Sequence, residues 1–291
     1  MSTMASKIKV QLQSIEDEFS PLLKEVPIEV LRRASGILFV APDYYYGDLT
    51  PEQKNRQIGF IKRYDRMLEI VQLLFSGSPP DIQKEIQEAD SELKKWLQFD
   101  SNWSISLDRD ANDVEFRNAF NEFNSLIKVF DSALDHETIL IPDTNILLEH
   151  VQPADYDRIS RQERFTILLL PTVLAELDAL KTNHRNESVR DKANAAIRTI
   201  KGWRNQGSLL AGITANKTIT VRSVATEPKA SFFPSWLDKE NYDDRIIASV
   251  LQVSSELPNA EVFLVTGDIN LQNKAEFASI EYMDKDQFGN A

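Results

Sequence analysis

From about residue 136 onward, short apolar runs alternate with helical segments, and that alternation restricts the fold more than any other feature of this 291-residue chain. "TILI" leads into a helix, and "FTILLLP" leads into "TVLAELDALK". "SVRDKANAAIRTIKGWRNQG" is a long helix ending at Gly207, and "KTITVRSVA" a strand. "NYDDRIIASVLQVSSEL" is again helical, "AEVFLVTGD" a strand, "INLQNKAEF" a short helix, and a last strand lies near "ASIEYM". Strands that alternate with helices in this way predict βαβ units around a parallel sheet.

The texture before His136 is different. "QIGFIKRYDRMLEIVQLLF" places Ile58, Ile61, Tyr64, Leu68, Val71 and Phe75 at spacings of three and four. "SPPDIQKEIQEADSELKKWLQF" opens with prolines and an acidic first turn and continues with Ile82, Ile86, Leu93 and Leu97. "NDVEFRNAFNEFNSLIKVF" repeats the pattern with Phe116, Phe120, Phe123, Ile127 and Phe130. These are amphipathic helices with core stripes, and "APDYYYGDLTPEQ" reads as a turn-rich connector. The expected organisation is a helical domain over 1–135 with an assembly or regulatory role, followed by an α/β domain over 137–291. An apolar content of 42 % is enough for two cores.

Composition narrows the chemistry. With no cysteine there are no disulfides, zinc-thiolate sites or thiol nucleophiles. The three histidines, at 136, 150 and 184, are too few for a His-rich metal site, so any metal should be a hard cation held by oxygen. The 33 basic and 45 acidic residues give a net charge of −12, which argues against nucleic-acid binding by bulk charge alone. No apolar run approaches the roughly 18 residues of a membrane span, and the N-terminus lacks a continuous apolar segment of signal-peptide type. A cytoplasmic protein without membrane partners is expected.

Open α/β sheets present ligand-binding groups at the C-terminal ends of their strands. Asp143 follows "ILIP" and Asp268 follows "FLVTG"; Glu176 lies in "PTVLAELDAL", and Asp243 and Asp244 open "DDRIIASVLQV". Each acid also has a local reading as a helix cap or a first-turn charge. Helical phase does not separate Glu176 from Asp178, nor Asp243 from Asp244.

"DTNILL", "LPTVLAELDALK", "NYDDRIIASVL" and "VFLVTGDINLQNKA" resemble, in order, the four acidic motifs of the PIN-domain nucleases, over roughly residues 137–284. The resemblance implies a Rossmann-like fold with a central parallel sheet. It also implies carboxylates that hold one or two Mg²⁺ or Mn²⁺ ions for phosphodiester hydrolysis. Carried over to this chain, those acids fall on Asp143, Glu176, Asp244 and Asp268, with Asp243 as a further metal-ligand candidate. Oxygen ligands suit Mg²⁺, and a bound divalent ion polarises a phosphate and acidifies water. Thr144, Asn145 and Thr266 are either groups that orient the acids or touch a phosphate, or simple helix caps.

One segment concentrates positive charge. Lys181 to Arg204 holds seven Lys or Arg against Glu187 and Asp191, a net of +5. Lys181, Arg185, Arg190, Arg198 and Lys201 are the candidate contacts to nucleic-acid phosphates, with a solvated helix face as the alternative. Phe232, Phe233 and Trp236, before the third acidic motif, either stack on bases or anchor their loop to the core. The function the resemblance implies is a metal-dependent nuclease, with an endoribonuclease acting on single-stranded RNA expected first. The alternatives are a non-catalytic PIN-like RNA- or protein-binding module, or a DNA-cleaving toxin or defence effector. A haloacid-dehalogenase-type phosphohydrolase needs a second Asp where Asn145 stands. The helical domain is the expected contact for a second copy or for an inhibitory or regulatory protein.

Overall fold

The computed structural model describes residues 3–31, 43–128, 137–160, 162–216 and 218–288. The chain divides into two compact units, Ala5–Ser132 and Ala133–Ala291, with Met1–Met4 grouped with the second. Phe130 and His136, which the sequence places in the last stripe and at the change of texture, lie outside the described residues.

The first unit is built on α1 (Met4–Glu25), α2 (Pro51–Leu74), α3 (Pro80–Gln98) and α4 (Arg109–Ile127). In α1, Ile8, Leu12, Ile15, Phe19, Leu22 and Leu23 are buried at helical spacing. Thr50 starts α2 with a capping box: its hydroxyl accepts from Gln53 N–H while the Gln53 side chain accepts from Thr50 N–H. Asp108 caps α4 through Asp110 and Ala111 N–H. The expected stripes of α3 and α4 are buried at Ile86, Leu93, Leu97, Phe116, Phe120, Phe123 and Ile127. The stripe of α2 departs from the expected one. Ile58 is exposed, and the buried face runs from Phe60 through Tyr64, Leu68 and Val71. Phe19 anchors the core, with ring centroids 5.3 Å from Phe60, 5.6 Å from Phe99 and 5.4 Å from Phe116.

The turn-rich connector is partly a strand. β2 (Asp43–Tyr46) pairs antiparallel with β1 (Ile28–Leu31), with Ile28 opposite Tyr46. Ala41 and Pro42, at the start of that connector, lie outside the described residues. Consecutive tyrosines favour extended backbone, and Tyr46 sits edge-on to Phe99 at 4.8 Å. Its neighbours Pro42, Gly47 and Asp48 carry the turn signal that hides this strand in the sequence.

The second unit is a six-stranded sheet in the order β5-β6-β4-β3-β7-β8. Its strands are β3 (Thr138–Pro142), β4 (Phe165–Leu169), β5 (Ile213–Asn216), β6 (Ile219–Ser223), β7 (Glu261–Val265) and β8 (Glu281–Met283). All pairings are parallel except β5 with β6. Every residue of β3, β4 and β7 is buried, as expected of central strands covered on both faces. The antiparallel edge strand β5 escapes sequence reading because its alternating "ITAN" is short and half exposed.

The helices of this unit are α5 (Thr144–Glu149), α6 (Asp157–Ser160), α7 (Pro171–Asn183), α8 (Glu187–Arg204), α9 (Tyr242–Glu256) and α10 (Ile269–Phe277). After β3 the chain builds outward through β4 and β6, then returns to pair β7 on the other side of β3. The reversal opens a crevice beyond the C-terminal ends of β3 and β7, where α/β sheets bind ligands. Among the described residues no helix is long and apolar enough to cross a membrane.

Candidate active site

Asp143 and Asp268 flank this crevice because each ends a neighbouring strand and begins a helix. Asp143 N–H donates to Val265 C=O at 3.0 Å, which extends the β3–β7 pairing by one bond. The Asp143 side chain is buried, and both of its oxygens are engaged. Oδ1 accepts from Ile146 N–H at 2.7 Å as the cap of α5, and Oδ2 accepts from the Thr266 hydroxyl at 2.5 Å. The same hydroxyl oxygen accepts from Asp268 N–H at 3.0 Å. Asp268, half-buried, caps α10 by accepting from Asn270 N–H at 2.7 Å. One fully buried threonine therefore ties two acids together from the end of β7.

Glu176 reaches the same place from α7. The Thr144 hydroxyl donates to Glu176 Oε2 at 2.5 Å, linking the first turn of α5 to α7. Asp178, which helical phase cannot distinguish from Glu176, is exposed and pairs with Lys181 at 3.2 Å. Burial pushes the Asp143 carboxyl above its ordinary value. The Thr266 and Ile146 bonds oppose that shift, and the negative charges of Glu176 and Asp268 add to it. The charges of Glu176 and Asp268 thus reach Asp143 across the crevice.

The third motif makes contacts of its own. Asp244 is buried, and its Oδ2 accepts from Asp238 N–H at 2.8 Å. Its Oδ1 lies 2.6 Å from Lys274 Nζ, an ionic contact with no well-directed hydrogen bond. Asp243 is half-buried, with Oδ2 3.3 Å from the same ammonium. Asn241 caps α9 through Asp244 N–H at 3.2 Å.

Of the flanking candidates, Thr144 and Thr266 hold acids in place, whereas Asn145 is exposed. The positive stretch divides. Arg190 donates to the carbonyls of His184 and Arg185 at 2.7 and 3.1 Å, fastening the turn between α7 and α8. Lys181 pairs with Asp178, while Arg185, Arg198 and Lys201 are exposed. Lys201 borders a groove of about 640 Å³ with Leu174, Asp178 and Arg204. Leu174 and Asp178 are each two residues from Glu176, so that groove lies across α7 from it. Phe232 is buried, and Trp236 packs edge-on against Phe277 at 4.9 Å, the anchoring role rather than an open stacking platform.

Two lysines escaped sequence reading. Lys274 is six residues beyond Asp268, beside the buried positions Leu271 and Ala275, and only the packing of α10 on α9 brings it to Asp244. Lys285 lays its stem over Gly267: a Cβ there would fall 2.5 Å from Lys285 Cδ, so the missing side chain lets the lysine cross beside Asp268.

Among the described residues no three His, Cys, Asp or Glu stand ready-made around a metal position. The hydrogen bonds explain this, since the oxygens of Asp143, Glu176 and Asp244 are drawn toward hydroxyls, backbone amides and Lys274. The donors themselves fit a hard divalent ion, being carboxylate oxygens gathered at one strand edge.

Residues 140–286 match the family model described as "PIN domain". "Transcriptional protein SWT1" of Homo sapiens is 27 % identical over 157 residues, 53 % of this chain and 16 % of that relative. The chain thus spans about a sixth of the curated relative's length. A family whose domains are generally nucleases accounts for both the sheet order and the acids at its crevice, and the chain belongs to the PIN-domain family.

Proposed function

We propose that the chain is a divalent-metal-dependent endonuclease that hydrolyses phosphodiesters in single-stranded RNA. The observation that carries this reading is the trio Asp143, Glu176 and Asp268 at the crevice. The Thr266 hydroxyl links the Asp143 carboxylate to the Asp268 backbone, the Thr144 hydroxyl holds Glu176, and Asp143 is buried without an ion pair among the described residues. Burying a carboxylate without a cation is unfavourable, so a fold that keeps one has use for a cation from outside.

Mg²⁺ or Mn²⁺ held by Asp143, Glu176 and Asp268 would supply Lewis acidity toward a phosphoryl oxygen and a bound water of lowered pKa. The protein's own part is to orient and to charge. Thr266 fixes Asp143 relative to Asp268, Thr144 fixes Glu176, and Val265 C=O holds the Asp143 backbone in line with β7. Lys285, beside Asp268, and the exposed Arg185, Arg198 and Lys201 are the cations that would meet phosphates of a bound strand. The name of the human relative, Transcriptional protein SWT1, ties that protein to transcription, a process whose product is RNA.

Cleavage of end-labelled single-stranded RNA and DNA, with Mg²⁺, Mn²⁺ or EDTA, tests the reading. RNA should be cut with metal and spared in EDTA. Cutting that persists in EDTA, or products with 2′,3′-cyclic phosphates, would overturn the metal mechanism. The hydrogen-bonded rest state of the acids favours a second reading, an RNA-binding module without catalysis. That module would bind RNA with no cleavage under any metal. We further propose that residues 1–135 form an assembly or regulatory domain, and that the portion from about residue 137 folds without it.

A further inference from the structure

Lys274 Nζ stands among the acids of the third motif, 2.6 Å from Asp244 Oδ1, 3.3 Å from Asp243 Oδ2 and 3.4 Å from Asn241 Oδ1. All three acceptors come from the start of α9, and the lysine comes from the last turn of α10. Asp238 N–H already engages the other oxygen of Asp244. Oδ1 is the Asp244 oxygen without a directed hydrogen bond, and an ammonium sits on it. The Lys274 side chain is 29 % exposed and that of Asp244 only 10 %, so their attraction is screened less than that of a surface pair.

The two halves of the acidic constellation differ in just this respect. The negative charges of Glu176 and Asp268 act on Asp143, and among the described residues none of these three acids forms an ion pair; Lys285 only passes beside Asp268. Asp243 and Asp244 share a resident cation. A divalent ion bonded to Asp244 Oδ1 at about 2 Å would stand within roughly 5 Å of an ammonium on the same oxygen. Like charges at that separation repel strongly. If displaced, Lys274 would still have Asp243 and Asn241 to keep it on the same turn of α9.

We propose that Lys274 is a built-in counter-cation that takes the position a second divalent ion would need at Asp244. The site then admits one divalent ion, among Asp143, Glu176 and Asp268, and Lys274 supplies the second positive charge. This inference rests on the metal-dependent reading above. Lys274 is a positioning residue: it fixes Asp244 and the local charge without being a metal ligand.

Calorimetric titration of the full chain with Mn²⁺, beside melting curves in EDTA, tests it. Wild type should bind one Mn²⁺ per chain. Lys274→Met should melt lower in EDTA by roughly 3–6 °C, because two neighbouring carboxylates lose their cation. It should then bind two Mn²⁺ ions and gain more stability from Mn²⁺ than wild type does. Lys274→Gln, which keeps a polar group for folding, should also bind two, whereas Lys274→Arg should bind one. Adding Asp244→Asn to Lys274→Met should return the stoichiometry to one. Two ions on wild type would overturn the proposal and leave the nuclease reading intact. One ion on both Lys274→Met and Lys274→Gln would reduce Lys274 to a clamp between α10 and α9. No Mn²⁺ on wild type would end the metal-dependent reading, and this inference with it.

Discussion

Each unit buries a carboxylate, and the two are kept in opposite ways. Glu16 in the helical unit is 4 % exposed and Asp143 in the sheet unit 3 %. Burial pushes both carboxyls upward. Glu16 is answered by a guanidinium: Arg117 Nη1 lies 3.0 Å away, and the same side chain bonds Asp113 at 3.3 Å and Ser20 at 3.0 Å. Among the described residues Asp143 is answered by a hydroxyl and a backbone amide, with further acids nearby. A carboxylate buried for structure alone gains its cation from within the fold. On the function proposed above, one left without a cation marks a site whose stability has been given up for binding.

The largest effect that could break this contrast is at Asp143. Asp143→Asn keeps the cap on Ile146 but removes a charge. RNA cleavage should fall to the level left by EDTA, and most of the Mn²⁺-induced rise in melting temperature should vanish. The metal-free variant should be as stable as wild type or up to ~1 kcal/mol more stable. A variant that cuts normally and responds normally to Mn²⁺ would make Asp143 only a cap.

Arg117→Met should behave in the opposite sense. It strands Glu16 in the interior, and unfolding of the helical unit should become easier by about 2 kcal/mol, less than for a fully buried pair because the guanidinium is 37 % exposed. Adding Glu16→Gln should recover most of that loss. If Arg117→Met is silent in denaturant melts, the two buried acids are not differently kept after all.

Thr266→Val sharpens the contrast from inside the crevice. The shape is conserved while the donor to Asp143 and the acceptor for Asp268 N–H are lost. Stability should drop by roughly 1–2 kcal/mol, and Mn²⁺ affinity should weaken. An unchanged Mn²⁺ isotherm would show that Thr266 does not preorganise the acids.

The smallest effect concerns an exposed ion pair. Arg63 and Ser14 hold the Glu18 carboxyl down to about 2 from 4.5. A depressed carboxyl stabilises the fold above its unfolded value and loses that contribution as pH falls through the folded one. Wild type and Arg63→Met should therefore differ most at neutral pH, and the difference should shrink between pH 4.5 and about 2. Glu18 is 50 % exposed, so a few tenths of a kcal/mol is expected. A difference that persists at pH 2 would come from packing of the Arg63 stem.

The acids were legible in the sequence because strand ends are local signals: an apolar run stops, and an acid with helix-capping chemistry follows. The surroundings that distinguish neighbouring acids are not local. Glu176 differs from Asp178 through a hydroxyl on another helix, and Asp244 from Asp243 through its burial and the Asp238 amide. Lys274 and the β1–β2 hairpin were missed for the same reason. Each takes its role from a partner distant in sequence, and nothing in its own neighbourhood announces that partner. Arg190 shows the converse, a residue chosen for its charge that the fold uses to close a turn.

The bond between Thr266 and Asp143 joins residues 123 positions apart. Made at about 5–20 residues per second on a ribosome, that length takes roughly 6–25 s to follow Asp143 out of the tunnel. Until β7 emerges and inserts beside β3, Asp143 has neither its hydroxyl partner nor Asp268 for company. A nascent chain therefore carries these acids unassembled at the very time when its own messenger RNA lies closest to hand.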